Sequence, residues 1–245
     1  MDSRIEQRRI EARRERAISR RRVAVCLASV LALFGVAAWL EQSPLLALSE
    51  VEVVGTRRLS PDEVREAAAL GLGTSTLRLR LGHARERVEA LPLVRSAAVR
   101  RADPLRVRIT VVERRPILVL AAAGGEVLVD AEGIVVAPGG QAGLPVITTS
   151  APEPLPPGAS VSELPEAWNA FAVATSLPGP LRADVLRYEG RGRNDVVLVL
   201  GSGLRARFGR AEDVGEKSRA LGALLSELEA SAPGASVDVR VPSNP

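Results

Sequence analysis

"LPLVRSAAVRRADPLRVRITVVERRP", residues 91–116, decides the fold of the first half of this chain. VRSAAVRRA is predicted to form one strand and LRVRITVVE a second, with a turn at Asp103 and Pro104 between them. In the second strand apolar residues alternate with arginine or threonine, which is typical of a strand with one buried and one solvated side. The buried side is predicted to carry Leu105, Val107, Ile109 and Val111, and the solvated side Arg106, Arg108, Thr110 and Val112.

The arginines of this hairpin raise the question of a nucleic-acid surface. The 245-residue chain has a net charge of +4. Residues 1–22 alone, with nine Arg, one Asp and three Glu, contribute about +5, so the remainder is close to neutral. Nucleic-acid binding requires a local excess of positive charge, and the near-neutral balance of the body of the chain weakens that interpretation. We therefore predict no nucleic-acid partner, and interpret Arg106 and Arg108 as the exposed face of the hairpin.

The apolar segment VAVCLASVLALFGVAAWL, residues 23–40, has neither charge nor proline. As a helix it would span roughly 27 Å, close to the ~30 Å hydrocarbon core of a bilayer. It is predicted to be a single transmembrane helix. Two alternatives are a buried core helix and a signal peptide cleaved at the small-residue site ALS, residues 47–49. The apolar run is, however, longer than the ~7–15 residues usual in a signal peptide.

The orientation of this segment follows from its flanking charges. Arg20, Arg21 and Arg22 precede it, and Glu41 follows it. The positive-inside rule then places the N-terminus in the cytoplasm and everything after Gln42 outside. The predicted organisation is a basic cytoplasmic tail (1–22), a transmembrane helix (23–40), a juxtamembrane linker (41–47), a first domain (48–116) and a second domain (117–245).

The first domain is predicted to have the order β-α-α-β-β. A strand at residues 48–54 precedes SPDEVREAAAL, in which Ser60 and Glu63 form a capping box and Pro61 suits the first helical position. GHARERVEAL is predicted to be the second helix, ended by Pro92, before the hairpin begins.

The second domain reads as an α+β fold, a mixed β-sheet with two helices. The first helix, ELPEAWNAFAVATSL, is predicted to place Trp168, Phe171 and Ala172 in the core. The second, AEDVGEKSRALGALLSELE, has an apolar side made of Val214, Leu221, Leu224, Leu225 and Leu228. Seven segments between and around these helices are predicted to be strands: GEVLVD, GIVVA, LPVIT, ADVLRYE, DVVLVL, LRARF and SVDVRV.

Residues for catalysis are sparse. The one histidine, His83, lies in a charged run, and the one cysteine, Cys26, lies in the apolar segment, so the usual zinc ligand set is missing. No Gly-x-Ser-x-Gly or Ser-x-x-Lys occurs. Asp130 and Asp195 are interpreted as turn residues. We predict no catalytic, cofactor-binding or metal-binding residue, and hence no enzyme.

The order β-α-α-β-β after an apolar segment resembles a POTRA domain, the polypeptide-transport-associated module. The sequence of the hairpin is similar to a motif of the FtsQ/DivIB cell-division family. The matching residues are Leu91, Pro92, Val94, Val112, Glu113, Arg114 and Pro116. Four segments after the hairpin resemble segments of the same family, and they occur in the same order as in that family: LVDAEGIVV, LPVI, EKSRALGALLSEL and VDVRVP.

This resemblance implies a non-enzymatic, single-pass scaffold of the division machinery in the cell membrane, enriched at the septum. Its implied partners are the bitopic division proteins FtsB and FtsL and the septal peptidoglycan synthase complex, with no cofactor. Two alternatives stay open. One is another POTRA-containing transport or assembly component, and the other is a membrane-anchored extracytoplasmic hydrolase.

The resemblance also implies a partner-binding strand, because the family's last strand receives a segment of FtsB as a further strand. We expect its valines to pack against the long helix, and Asp238 and Arg240 to face a partner. The alternative is an internal strand whose Asp and Arg pair within the chain. The candidate residues are Val237, Asp238, Val239, Arg240 and Val241.

Overall fold

The structure is a computed structural model that describes residues 25–36, 39, 46–228 and 236–241. Residues 25–36 are helical, and none of the helices within the described ranges has the length and apolar character needed to cross a membrane. Arg20, Arg21 and Arg22 lie outside the described residues. So do both ends of the predicted transmembrane segment, residues 23–40, and most of the predicted linker.

The first domain has the predicted order β-α-α-β-β. Its sheet has the strand order β1-β3-β2, with β3 parallel to β1 and antiparallel to β2. The two helices pack on one face of this sheet. The elements are β1 (Glu50–Val54), α1 (Pro61–Ala68), α2 (Leu81–Glu89), β2 (Val94–Asp103) and β3 (Arg106–Glu113).

The start of α1 confirms the predicted capping box. The Ser60 hydroxyl accepts a hydrogen bond from the Glu63 backbone N–H (3.1 Å), and the Glu63 carboxylate accepts one from the Ser60 N–H (2.9 Å). Two N–H groups that the helix itself cannot pair are thereby satisfied.

The hairpin buries one side and exposes the other. Val107, Ile109 and Val111 are at most 3% exposed and pack in the core under the helices. Arg108 is exposed and pairs with Glu52 across the β1–β3 ladder at 2.8 Å. Arg106 is also exposed and pairs with Asp103. One residue departs from the prediction: Leu105 is 37% exposed, because the turn extends over it and β3 begins only at Arg106.

Glu113, the last residue of β3, fixes the loop between β1 and α1. Its carboxylate accepts hydrogen bonds from three consecutive backbone N–H groups, those of Arg57, Arg58 and Leu59. Burial alone would raise the pKa of Glu113, but these three bonds and the charge of Arg58 outweigh it, so the pKa lies below its ordinary value. The ionised carboxylate therefore stabilises the folded domain.

The lowered pKa of Glu113 predicts that the stability of the first domain depends on pH. A depressed folded-state pKa contributes stability above the unfolded-state value, near 4.5, and that contribution is lost as the pH falls through the folded-state pKa. We expect Glu113→Gln to destabilise the domain at pH 7 and to differ less from the wild type at pH 3. Urea unfolding at both pH values measures this, with Glu153→Gln as a control on an exposed loop. An equal difference at both pH values would contradict the role of the charge.

The second domain is built on a larger mixed sheet. The strands are β4 (Pro116–Ala122), β5 (Gly125–Asp130), β6 (Val135–Pro138), β7 (Val146–Thr148), β8 (Val185–Gly190), β9 (Val196–Leu200), β10 (Arg205–Arg207) and β11 (Ser236–Asp238). Their order in the sheet is β11-β10-β9-β8-β7-β4-β5-β6, and β7 is parallel to both of its neighbours. The helices are α3 (Pro165–Ser176), α4 (Gly179–Asp184) and α5 (Val214–Leu228).

The prediction of two helices in this domain was wrong, since α4 is a third one within residues 116–228. α4 is only six residues long and has Pro180 in its first turn, where the fixed φ of proline suits a helix. Arg182 in its last turn donates two hydrogen bonds to the Leu177 carbonyl, which holds the short helix against the end of α3. The sequence ADVLRYE therefore begins in a helix, and its strand starts at Val185.

The core of this domain lies between the sheet and the helices. It includes Phe171, Tyr188 and Phe208. The prediction that Trp168 lies in the core was wrong, because its side chain is 44% exposed and stacks on Phe171 with 5.6 Å between ring centroids. Ala172 is only half-buried.

Three ion pairs join the domains in the described part of the chain, and the longest is Arg114–Glu132 at 3.6 Å. Arg114, just after β3, pairs with Asp130 at the end of β5 at 2.6 Å, and Arg95 on β2 pairs with Glu132 at 2.6 Å. Asp130 also accepts hydrogen bonds from the N–H groups of Glu132 and Ile134, so it does hold the turn that the sequence predicted. Its burial, at 1% exposed, and its partner Arg114 were not predicted.

Candidate partner-binding edge

β11 lies at one end of the second sheet and pairs on one side only, with β10. The pairing is parallel, with Arg205 opposite Ser236, Ala206 opposite Val237 and Arg207 opposite Asp238. The Val239 N–H donates to the Arg207 carbonyl at 2.9 Å and extends this ladder by one bond. Among the residues that the structure describes, no strand lies on the other side of β11, so this side is an open edge.

The backbone groups of β11 alternate between the two sides. Because the Val239 N–H points to β10, the N–H of the preceding residue, Asp238, points to the open edge. The Arg240 N–H lies beyond the end of β11 and donates to Oδ1 of Asp238 at 3.1 Å. The Asp238 N–H and carbonyl are therefore the ladder groups that an added strand would meet first.

The side chains of the candidate strand divide into an inner and an outer set. Val239 is fully buried, and Val237 is half-buried against the core that α5 helps to form. Val241 is 57% exposed, which corrects the expectation that all three valines pack inward; β11 ends at Asp238, so the alternation does not continue to residue 241. Leu224 and Leu225 pack against this core, whereas the Leu228 side chain lies outside the described residues.

Asp238 and Arg240 form a bidentate ion pair on the outer side. The Arg240 Nη2–Asp238 Oδ2 distance is 2.6 Å, and Nε lies 3.0 Å from each carboxylate oxygen. This hydrogen bonding holds the pKa of Asp238 below its ordinary value, against a smaller opposing effect of burial. The pair was foreseen only in the alternative to an edge strand, yet the structure has both features together: a terminal strand and a paired Asp and Arg.

The face beside this pair is charged as well. Arg207 of β10 pairs with Asp195 at 3.1 Å, and Arg205 pairs with Glu189 of β8. The outermost strands therefore carry alternating acidic and basic groups on this face, and at β11 itself these are Asp238 and Arg240, which would suit a polar, charge-matched strand better than a purely apolar one. Asp195 was interpreted only as a turn residue, and the alternation of RAR in β10 is the signal that could have indicated its partner.

Lys217 of α5 was not singled out from the sequence. It is 5% exposed, donates to the Arg210 carbonyl at 3.0 Å and lies over the Phe208 ring at 5.5 Å. Burial lowers the pKa of Lys217, and the charges of Asp213 and Glu212 oppose that effect. The residue ties the start of α5 to the loop after β10, so it supports the strand on which β11 depends.

In the described residues this arrangement has a strand edge without a neighbour, and the acidic and basic side chains around it are held in ion pairs. His83, the sole histidine, is an exposed residue of α2 within 3.3 Å of Glu86. Within the described ranges, no three His, Cys, Asp or Glu side chains lie close enough to hold a metal ion.

Two protein families match the chain, one in each domain. Residues 46–114 match the family described as "POTRA domain, FtsQ-type". Residues 118–240 match "Cell division protein FtsQ/DivIB, C-terminal". The second match includes nearly the whole candidate strand.

Curated proteins named "Cell division protein FtsQ" are similar over most of the chain. That of Streptomyces collinus is 34% identical over 235 residues, covering 92% of this chain and 88% of the relative. That of Mycobacteroides abscessus is 30% identical over 222 residues, covering 90% and 67%. For the Mycobacterium leprae protein the identity is 30%, and the chain spans only 60% of that relative's length.

Proposed function

Because this chain belongs to the FtsQ/DivIB family of cell-division proteins, we propose that it is a non-enzymatic scaffold of the bacterial division machinery. The observation that carries the proposal is the open edge of β11, at the end of a sheet within the family-matched region. Edge strands recruit other chains by strand addition, a mode that needs backbone groups and no reaction centre.

The partner proposed for this edge is a segment of an FtsB-type division protein, added as a strand beside β11. The free ladder groups of Asp238 would bind its backbone, and the charged face around Asp238, Arg240 and Arg207 would select its side chains. An FtsL-type protein and the septal peptidoglycan synthase complex are proposed to join through this first contact. The scaffold would thereby connect division proteins to septal wall synthesis.

The proposed position of the chain is the cell membrane, with both domains outside the cytoplasm. Its support is the uncharged sequence of residues 23–40 and the three arginines before it, Arg20, Arg21 and Arg22. We expect an alkaline phosphatase fused after Pro245 to be active in cells, since this enzyme matures only outside the cytoplasm. A cytoplasmic reporter such as β-galactosidase at the same position serves as the control. Activity from the cytoplasmic reporter alone would contradict this topology.

Localisation in dividing cells tests the scaffold itself. We expect a fluorescent fusion at the N-terminus to form a band at mid-cell, and depletion of the protein to give filaments in which septa are absent. A matched fusion that carries only residues 1–45 tests whether the two domains are needed for the band. Even staining of the cell periphery by the full-length fusion would contradict the proposal.

A further inference from the structure

Three of the four exposed large apolar side chains described in the first domain lie at one end of it. In the described residues 46–116, four large apolar side chains are exposed: Leu72, Leu77, Leu105 and Val112. Leu72 and Leu77 are 68% and 56% exposed on the loop between α1 and α2, and Leu105 is 37% exposed in the β2–β3 turn. Exposed leucines that lie together leave apolar surface in contact with water, and such patches commonly mark a site of contact with a protein or a membrane.

Both of these loops are bonded to the place where the chain enters the domain. The Leu48 N–H donates to the Thr74 carbonyl (2.9 Å), and the Gly73 N–H donates to the Leu48 carbonyl (2.8 Å). The Ser49 N–H donates to the Leu105 carbonyl (2.8 Å), and the Thr76 hydroxyl donates to the Pro104 carbonyl (2.8 Å). We call residues 47–49, 71–80 and 103–106 together the proximal end.

The proximal end is also basic. Arg78 follows Leu77, Arg80 comes two residues later, Arg101 donates to the Thr76 carbonyl, and Arg106 pairs with Asp103 beside the turn. The acidic residues nearby are Asp103, Glu50 and Glu52, and Glu52 is itself paired with Arg108. A recess of about 500 Å³ next to the loop is lined by Leu70, Leu79, Arg80 and Arg87, among others. Leucines with arginines around them match the layering of a phospholipid surface, in which apolar chains lie beneath phosphates.

The distance along the chain supports the same surface. Six residues, 41–46, separate the apolar segment 23–40 from Ala47. In any conformation they can span at most roughly 25 Å. If residues 23–40 cross the membrane, the proximal end is held within that distance of the outer surface, while Val112 lies at the opposite end of β3.

We propose that the proximal end docks on the phospholipid surface, with Leu72 and Leu77 inserted below the headgroups and Arg80 at the lipid phosphates. The contact rests on the proposed membrane anchor. It would fix the first domain against the bilayer, so that the second domain and the β11 edge are presented at a set height. Because only six residues separate the apolar segment from Ala47, a docked domain would have little freedom to tilt against the bilayer.

Fluorescence of the full-length chain in lipid vesicles tests the docking. Cys26 is the only cysteine, so a Cys26→Ser background allows single labels through Leu72→Cys, Leu77→Cys or Leu186→Cys. Leu186 is the matched control, because it is a leucine of β8 in the second domain and is 59% exposed. Each site is labelled with the environment-sensitive dye NBD, and quenching by headgroup-proximal spin-labelled lipid is measured in vesicles of phosphatidylglycerol and phosphatidylcholine.

We expect labels at residues 72 and 77 to be blue-shifted and quenched at least about twofold more than the label at 186, as for a segment that enters the interface. Arg80→Gln, or vesicles of phosphatidylcholine alone, should reduce the quenching at residue 72. An Arg80→Gln chain that is quenched as strongly as its parent would overturn the phosphate contact. Equal quenching at all three sites, in chains that float with the vesicles, would overturn the docking and leave the anchor standing.

Chains that fail to float with vesicles after reconstitution would overturn the anchor itself, and the docking with it. A label at residue 72 that is blue-shifted but out of reach of the lipid quencher would mean that protein covers the leucines, as in a dimer of the first domain. That result too would overturn lipid docking.

Discussion

Ile109→Asp is expected to unfold the first domain. Ile109 is fully buried at the centre of β3, between β1 and β2, and faces the helices α1 and α2. A carboxylate there would lose its hydration without a partner, which costs several kcal/mol. The lost packing of the isoleucine adds about 2–5 kcal/mol. The sum approaches the whole stability of a small domain, about 5–15 kcal/mol.

Arg108→Ala is the matched control for this change, because it alters the neighbouring residue on the exposed side of the same strand. Arg108 pairs with Glu52 at the surface, and such pairs contribute only about 0–1 kcal/mol. Thermal unfolding and near-ultraviolet circular dichroism of a fragment of residues 43–245 measure both variants, and Arg106→Ala can be added as a second control. A variant Ile109→Asp that melts with the wild type, while Arg108→Ala unfolds, would mean that the two faces are assigned the wrong way round.

Asp238→Pro is expected to abolish strand addition at the β11 edge. The Asp238 N–H points away from β10, and proline removes that donor without touching the bond between Val239 and Arg207. The loss of one ladder hydrogen bond, about 1–1.5 kcal/mol, already lowers affinity about tenfold, and the proline ring further obstructs an incoming strand. Titration of the extracytoplasmic segment of an FtsB-type partner against the 43–245 fragment measures the loss.

Two controls distinguish loss of the backbone donor at the edge from loss of the Asp238 side chain and from unfolding of the strand. Asp238→Ala removes the ion pair with Arg240 but keeps the N–H, so it should retain most of the binding. Val239→Pro removes the inward N–H that donates to Arg207, so it should destabilise the end of the sheet and reduce binding through the fold. Undiminished binding by a folded Asp238→Pro variant would exclude this edge as the docking site.

Alternation and capping were the parts of the fold that the sequence could predict. Val107, Ile109 and Val111 recur at every second residue, and Ser60 with Glu63 has the spacing of a capping box. Both signals are local, since a strand or a helix start is specified by residues within one turn of one another. The β-α-α-β-β order of the first domain follows from them.

Pairings between distant residues were beyond local signals. The parallel ladder of β1 and β3 joins residues 56 apart, such as Val53 and Ile109, and nothing in either strand specifies its neighbour. Asp130 has the composition of a turn residue and does make the turn, but its burial depends on Arg114, which comes from the other domain. Trp168 lies on the same side of α3 as Phe171, and only the three-dimensional packing decides that Phe171 is covered and Trp168 is not.

The same limit applies to the candidate edge. The alternation of VDVRV predicted that Val237 and Val239 pack inward and that Asp238 and Arg240 lie on the other side. It could not predict that β11 ends at Asp238, because a strand ends where its neighbour does, and β10 is only three residues long. Val241 is exposed for that reason.

The short strand β7 has a consequence for how the second domain forms. On one side of it, β4, β5 and β6 follow one another in sequence and pair antiparallel, and on the other side β8, β9 and β10 do the same. Such meanders assemble quickly from local contacts, whereas the two parallel pairings of β7 close longer loops and come late. We therefore expect the docking of Ile147 to be a late step of folding, and until it is buried each half exposes an unpaired strand edge to aggregation.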